Sequence, residues 1–242
     1  MTNYKLVLSY DGTDFRGWQR QLDKRTVQGV LEEALAQISG EKITVAGAGR
    51  TDAGVHAQGQ VANFKGDLRL KENELRQALN ALLPDDVKIL SLRRAAPDFH
   101  ARKMAKSKIY RYRIYNSRLV SPFLLRYVLY WPAPLDIRKM AEAAALFERE
   151  ADFTAFSSNR LLRPVRKVLR SEIRKRGKEI IYTIEANGFL RYMVRTIVGT
   201  LLEVGRGKME PEQIEDIFRE NKRSLAGPTA PAKGLCLVKV IY

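Results

Sequence analysis

Segment 46–60, AGAGRTDAGVHAQGQ, sets four glycines and several short polar residues around Arg50, Asp52 and His56. A backbone so rich in glycine makes tight turns and lets a ligand come close. Asp52 has two readings here: a carboxylate that does acid–base or nucleophilic work, or a turn residue that bonds its own backbone within TDAG. A phosphate cradle is less well supported, because no Gly-Lys-Ser/Thr follows the glycines. His56, alone in the loop, reads more readily as a hydrogen-bonded loop residue than as a ligand.

A second constellation is 187–199, NGFLRYMVRTIVG, which spaces Arg191 and Arg195 four apart on one helix face. Val194, Ile197, Val198 and Leu201 form the apolar side of that helix. An ordinary amphipathic helix with two exposed arginines is one reading. The other is that Arg195, set among apolar neighbours, needs a carboxylate partner. Asp52 is one such partner.

The charge balance suggests what this chemistry acts on. Among 242 residues, 43 Lys and Arg stand against 27 Asp and Glu, a formal net charge of +16. Residues 1–105 carry net +3 and residues 106–242 net +13. Between 99 and 135 there are eight basic residues and no acid, with Tyr110, Tyr112 and Tyr115 interleaved. Between 160 and 178 nine basic residues, Lys167 and Arg170 among them, surround one acid, Glu172. One such run is as well explained by a solvated face as by a ligand. Two runs nearly without acids favour a groove that tracks phosphates, so nucleic acid is the expected partner.

One cysteine, Cys236, excludes an internal disulfide framework, and with only His56 and His100 the chain lacks ligands for an ordinary zinc site. No apolar stretch approaches a membrane span, and the first residues lack the marks of a signal peptide. A soluble, cytoplasmic protein is expected.

Alternation and capping residues outline the elements that must position the two constellations. Strands are expected at 5–10, 42–46, 60–64, 87–93, 109–115, 165–173, 180–185 and 235–241. Helices are expected at 27–38, capped by Thr26 and Gly40, and at 72–82, 137–147, 190–204 and 211–219. Adjacent strands with few helical crossovers indicate an α+β fold with mainly antiparallel sheets and flanking helices. Two similar halves, 1–105 and 106–242, are expected to flank a central cleft.

Seven motifs, in this order along nearly the whole chain, give it a resemblance: YDGTDFRGWQ (10–19), TVQGVLEEAL (26–35), AGRTDAGVHA (48–57), FHAR (99–102), YRYRIYN (110–116), FLRYMVRTIVG (189–199) and AGPTAPAKGLCL (226–237). Together they resemble the tRNA pseudouridine synthase A family. The resemblance implies a cofactor-free, metal-free isomerase that converts uridine to pseudouridine at positions 38 to 40 in the anticodon arm of tRNA. It also implies a homodimer whose halves flank a basic cleft. Asp52 matches the family's catalytic aspartate, Arg195 the arginine paired with it, Tyr110 the tyrosine stacked on the target base, and Arg50 an arginine that assists nucleotide flipping. His56, Lys167 and Arg170 complete the expected substrate-contacting set. A non-catalytic RNA-binding module would explain the charge but gives Asp52 and Arg195 no role. A metal-dependent nuclease needs clustered carboxylates, and Asp52 has no acidic neighbour before Asp67.

Overall fold

The computed structural model describes residues 1–158 and 164–242. The chain divides into two compact units, Met1–Lys106 with Leu237–Tyr242, and Ser107–Cys236.

In the first unit, β1 (Thr2–Tyr10) leads through a long loop to α1 (Val27–Ser39), then β2 (Val45–Gly47), β3 (His56–Gly66), α2 (Glu72–Leu82) and β4 (Val87–Arg94). β1 lies between β3 and β4, antiparallel to both, so that Leu6 faces Ala62 on one side and Leu92 on the other. β2 is antiparallel to β3 on its far part. Alternate residues of β1, Tyr4, Leu6, Leu8 and Tyr10, are buried, as are Leu31 and Leu35 of α1 and Leu75 and Leu79 of α2. Removing each such leucine from water contributes about 1.5–3 kcal/mol.

The first helix begins where the sequence places it, because the Thr26 hydroxyl accepts from the Gly29 amide (3.2 Å). Gly40 ends it at φ 75°, a left-handed cap that suits a residue without a side chain. Helix α2 also keeps its expected bounds. Asn80 at its end satisfies both the amide (2.7 Å) and the carbonyl (3.0 Å) of Ile89 in β4.

In the second unit, β5 (Ser107–Asn116) is followed by the short β6 (Leu129–Trp131), α3 (Ile137–Ala145), β7 (Glu150–Asp152), β8 (Val165–Arg176), β9 (Glu179–Ala186), α4 (Met193–Gly205) and α5 (Gln213–Glu220). β5, β9, β8 and β7 are neighbours in that order, all antiparallel, while β6 runs parallel to β5. Tyr112, Ile114, Tyr182 and Ile184 on one sheet face are buried with Met140 of α3 and Ile197 and Leu201 of α4. At Gly205 the backbone comes so close to α3 that a Cβ would lie 2.5 Å from Met140 Sδ. Phe147, Phe153 and Phe156 are buried around Phe218 of α5.

The fold is α+β and mainly antiparallel. Several boundaries differ from those expected. β3 starts at His56 rather than residue 60, because residues 57 and 59–64 are buried on both faces and the alternation that marks a half-buried strand is lost. α4 starts at Met193 rather than residue 190, because Tyr192 turns left-handed (φ 64°). β2 moves to Val45–Gly47, α3 stops at Ala145, and α5 starts at Gln213. The last strand, β10 (Leu235–Ile241), keeps its expected bounds, but Leu237–Tyr242 group with the first unit rather than the second. There β10 neighbours β3, and the Tyr242 hydroxyl donates to the Ala101 carbonyl (2.8 Å).

Candidate active site

Asp52 sits in the 48–55 loop between β2 and β3, half-buried. Main-chain and buried polar contacts hold this loop. The Ala48 amide donates to the Val61 carbonyl (2.7 Å), and Gln60 Nε2 to the Gly49 carbonyl (2.9 Å). The Tyr10 and Thr51 hydroxyls share a hydrogen bond (2.9 Å). The Trp18 amide donates to the Thr51 carbonyl (3.1 Å), and the Gly54 amide to the Phe15 carbonyl (3.3 Å). The turn at TDAG is closed by the Val55 amide donating to the Asp52 main-chain carbonyl (3.1 Å), with Gly54 left-handed at φ 77°. The turn reading of this tetrapeptide therefore holds for its backbone, and it does so through a carbonyl that leaves the carboxylate's role open.

Two glycines far away in sequence make this possible. A Cβ on Gly12 would lie 2.0 Å from the Val55 carbonyl oxygen, and one on Gly17, itself at φ 92°, would lie 2.6 Å from the Thr51 carbonyl oxygen. Of the glycines in the flanking strands, Gly47 of β2 makes room for the Trp18 ring and Gly59 of β3 for the Val238 carbonyl. These positions serve packing rather than a ligand. Arg50 is exposed at the start of the loop. His56 is only 6% exposed, and its Nδ1 lies 3.0 Å from the Gly12 amide and 3.1 Å from an Asp11 carboxylate oxygen. The ring thus stands where the 11–12 and 48–55 loops meet.

In the second unit, Tyr110 lies mid-strand in β5 and is 6% exposed, with its ring edge-on to Phe189 at 5.0 Å. Arg195, half-buried in the first turn of α4, donates from Nε to the Ala230 carbonyl (2.7 Å), while its own carbonyl accepts from the Ala230 amide (3.0 Å). Its guanidinium carbon is 5.0 Å from the Tyr192 ring centre, and Arg191 approaches the same ring at 4.9 Å. Burial pushes the Tyr112 phenol well above its usual range, and the positive charge of Arg195 offsets part of that rise.

Tyr192 holds this turn at a backbone angle that bulky residues seldom adopt, at a cost of about 1–2 kcal/mol. Neither this strain nor the half-buried Arg166, whose guanidinium packs 3.3 Å from a Cβ position on Gly188, was visible in the sequence. Burial lowers the Arg166 pKa. Residue type alone gives no signal for either.

The basic runs are less free of acid in space than in sequence. Arg113 forms a two-pronged ion pair with Glu179 (2.7 and 3.0 Å), and Glu172 binds both Arg170 and Arg174. Burial pushes the Glu172 carboxyl up, but the two arginines together outweigh it and hold the group below its ordinary range. Lys167 is exposed, as are Arg102, Lys103, Lys106, Arg111 and Arg118. Arg160 and Arg163 lie outside the described residues. Among the described residues, no group of three or more His, Cys, Asp or Glu is placed to hold a metal ion, and no helix is long and apolar enough to cross a membrane.

Residues 6–102 and 143–242 match the model of a family described as tRNA pseudouridine synthase. The first segment carries the Asp52 loop and the second the Arg195 helix, whereas Tyr110 falls between them. The chain is 43% identical to tRNA pseudouridine synthase A of Thermodesulfovibrio yellowstonii over the whole of both chains. It is 45% identical to that of Moorella thermoacetica over 98% of each, and 44% identical to that of Acetivibrio thermocellus over the whole of both. With matches that run from one end to the other and include both constellations, this chain belongs to the tRNA pseudouridine synthase family.

Proposed function

We propose that this protein isomerises uridine to pseudouridine in tRNA, at positions 38 to 40 of the anticodon arm, with Asp52 as the essential carboxylate. The reaction breaks the C1′–N1 bond, turns the freed uracil and joins C1′ to C5. The C5 proton leaves and N1 gains one, so the sum is an isomerisation with no change in oxidation state. An ionised Asp52 can attack C1′ as a nucleophile or take the C2′ proton as a base. Both routes need the carboxylate held to within a fraction of an ångström. The observation that supports this reading is the tight packing of the 48–55 loop, whose carbonyls meet the backbone at Gly12 and Gly17.

Arg195 is assigned the counter-charge that keeps Asp52 ionised. Its Nε donates to the Ala230 carbonyl and its guanidinium carbon lies 5.0 Å from the Tyr192 ring centre, and the planar fork of an arginine suits it to a carboxylate. Tyr110 is assigned the stacking surface for the flipped uracil, and base–aromatic stacking contributes about 1–3 kcal/mol toward the cost of flipping. Arg50 assists flipping. His56, buried between two loops, is better suited to fastening them than to touching RNA. Exposed basic residues such as Arg102, Arg111 and Lys167 take the phosphates, and two copies of the chain form the working dimer.

The test is an unmodified tRNA transcript tritiated at uracil C5, incubated with pure protein in EDTA. Tritium release with intact RNA, mapped to positions 38 to 40, supports the proposal. Binding without release leaves only an RNA-binding module, and cleaved RNA indicates a nuclease.

A further inference from the structure

The motif AGPTAPAKGLCL carries part of the resemblance, yet none of its side chains has a role in the reaction as proposed. Its first residues pack directly on α4. A Cβ on Gly199 would lie 1.6 Å from the Pro228 carbonyl oxygen, and one on Gly227 would lie 2.5 Å from the Thr200 amide nitrogen. Backbone thus meets backbone at both places. The Gly227 amide donates to the Thr200 hydroxyl (2.9 Å), which itself donates to the Thr196 carbonyl (2.9 Å). At the near end of the segment Ala230 makes the paired contacts with Arg195, accepting from its Nε and donating to its carbonyl.

The other side of this segment is gripped by one residue. Arg223, half-buried in the short turn Arg223–Leu225, donates from one η nitrogen to the carbonyls of Ala226 (3.1 Å) and Gly227 (2.9 Å). Its other η nitrogen donates to the Thr229 hydroxyl (3.3 Å), and that hydroxyl also lies 3.3 Å from the hydroxyl of Thr196. Both η nitrogens are thereby directed at protein oxygens, as expected of a guanidinium that shapes a loop rather than one that waits for a phosphate. A planar fork can hold three acceptors in fixed relation, which an ammonium cannot.

We propose that Arg223 is a positioning residue for Arg195: it sets the path of residues 226–229, and that path delivers the Ala230 carbonyl to Arg195 Nε. The inference rests on the reading of Arg195 as the partner of the catalytic carboxylate. Because Arg223 acts through another residue and touches no RNA, its loss should slow the chemical step and leave tRNA affinity unchanged.

The experiment compares Arg223→Ala, Arg223→Lys, Arg195→Ala and the double alanine variant by single-turnover tritium release at saturating enzyme, alongside a tRNA-binding titration and a melting curve. Arg223→Ala should lose about tenfold or more in rate with affinity within twofold of the parent. Arg223→Lys, which keeps the charge but gathers its donors on a single nitrogen, should recover part of that loss, and it supplies the test if the alanine variant does not fold. The double variant should be no slower than Arg195→Ala, since both changes act on one group. Loss in Arg195→Ala with parental rates in both Arg223 variants overturns this inference alone. So does weakened affinity at an unchanged saturated rate, which makes Arg223 an RNA contact, or a double variant slowed by the product of the two single effects. A parental rate in Arg195→Ala overturns the reading of Arg195, and this inference with it.

Discussion

Both constellations rest on glycines that admit neighbouring backbone, and they differ in what holds the functional residue itself. The Asp52 loop is held by main-chain hydrogen bonds and by glycines that admit neighbouring carbonyls at distances no side chain tolerates. The Arg195 side chain is held by the Ala230 carbonyl and the Tyr192 ring, with the Thr196, Thr200 and Thr229 hydroxyls bonded in the neighbouring network. A group held by backbone has little freedom to adjust, whereas one held by a polar network can be retuned one contact at a time. The carboxylate proposed to react has the rigid mounting, and the cation proposed to accompany it has the adjustable one.

The sharpest contrast is expected at Asp52 itself. Asp52→Asn keeps the shape of the side chain and should fold and bind tRNA as the parent does, yet lose turnover by at least about 10³-fold. Asp52→Glu should rescue little, since one methylene moves the carboxylate by about an ångström. Appreciable turnover by folded Asp52→Asn would end the case for this carboxylate. The mounting is tested next. Gly12→Ala forces a methyl group against the Val55 carbonyl and should cost about 1–3 kcal/mol of stability, seen as a lowered Tm, together with most of the activity. A parental Tm would show that the loop is less constrained than its contacts imply.

On the adjustable side, stability and activity should move in opposite directions. Tyr192→Gly removes the penalty of a left-handed tyrosine, so the chain should melt at the same or a higher temperature, while loss of the ring beside Arg195 slows single turnover several-fold. If the rate is unchanged, the strained tyrosine contributes nothing to the arginine.

The smallest effect separates paired from exposed cations. Lys167→Ala should weaken tRNA binding more than Arg170→Ala, because Arg170 already faces Glu172. Glu172→Gln releases two arginines and should tighten binding a few-fold at low salt. The same variant should lower stability at neutral pH by no more than about 1 kcal/mol, because the partners are partly exposed. Since the folded-state pKa of Glu172 is depressed, that difference is present above the ordinary carboxylate pKa and disappears as the pH falls through the folded value. Melting curves across the acid range measure it.

Local signals in the sequence were enough for elements whose ends are chemically marked. Thr26 and Gly40 bracket α1, and Glu72 begins an α2 whose fourth residue is the buried Leu75. They failed where tertiary contacts decide. Nothing in FLRYMVR indicates that Tyr192 turns left-handed, and β3 hides its start because both of its faces are covered. At the site, composition pointed to the 46–60 loop and to Asp52. Gly54 makes the tight turn that the glycine richness implies, Gly47 and Gly59 instead admit Trp18 and Val238, and the glycines that admit the loop's carbonyls are Gly12 and Gly17, more than thirty residues upstream. Arg223 was invisible for a similar reason, because its three acceptors are two main-chain carbonyls and one hydroxyl that no spacing rule connects to it.

The return of residues 237–242 to the first unit has a consequence for biosynthesis. Gly59, on the strand that follows the Asp52 loop, backs onto the Val238 carbonyl, and Lys5 lies 4.0 Å from the centre of the Tyr242 ring. On the ribosome the whole of the second unit is made before those partners exist, so the first unit waits, incomplete, for about 130 residues of further synthesis. A chain that stops early lacks the strand beside β3, the strand into which the Asp52 loop leads.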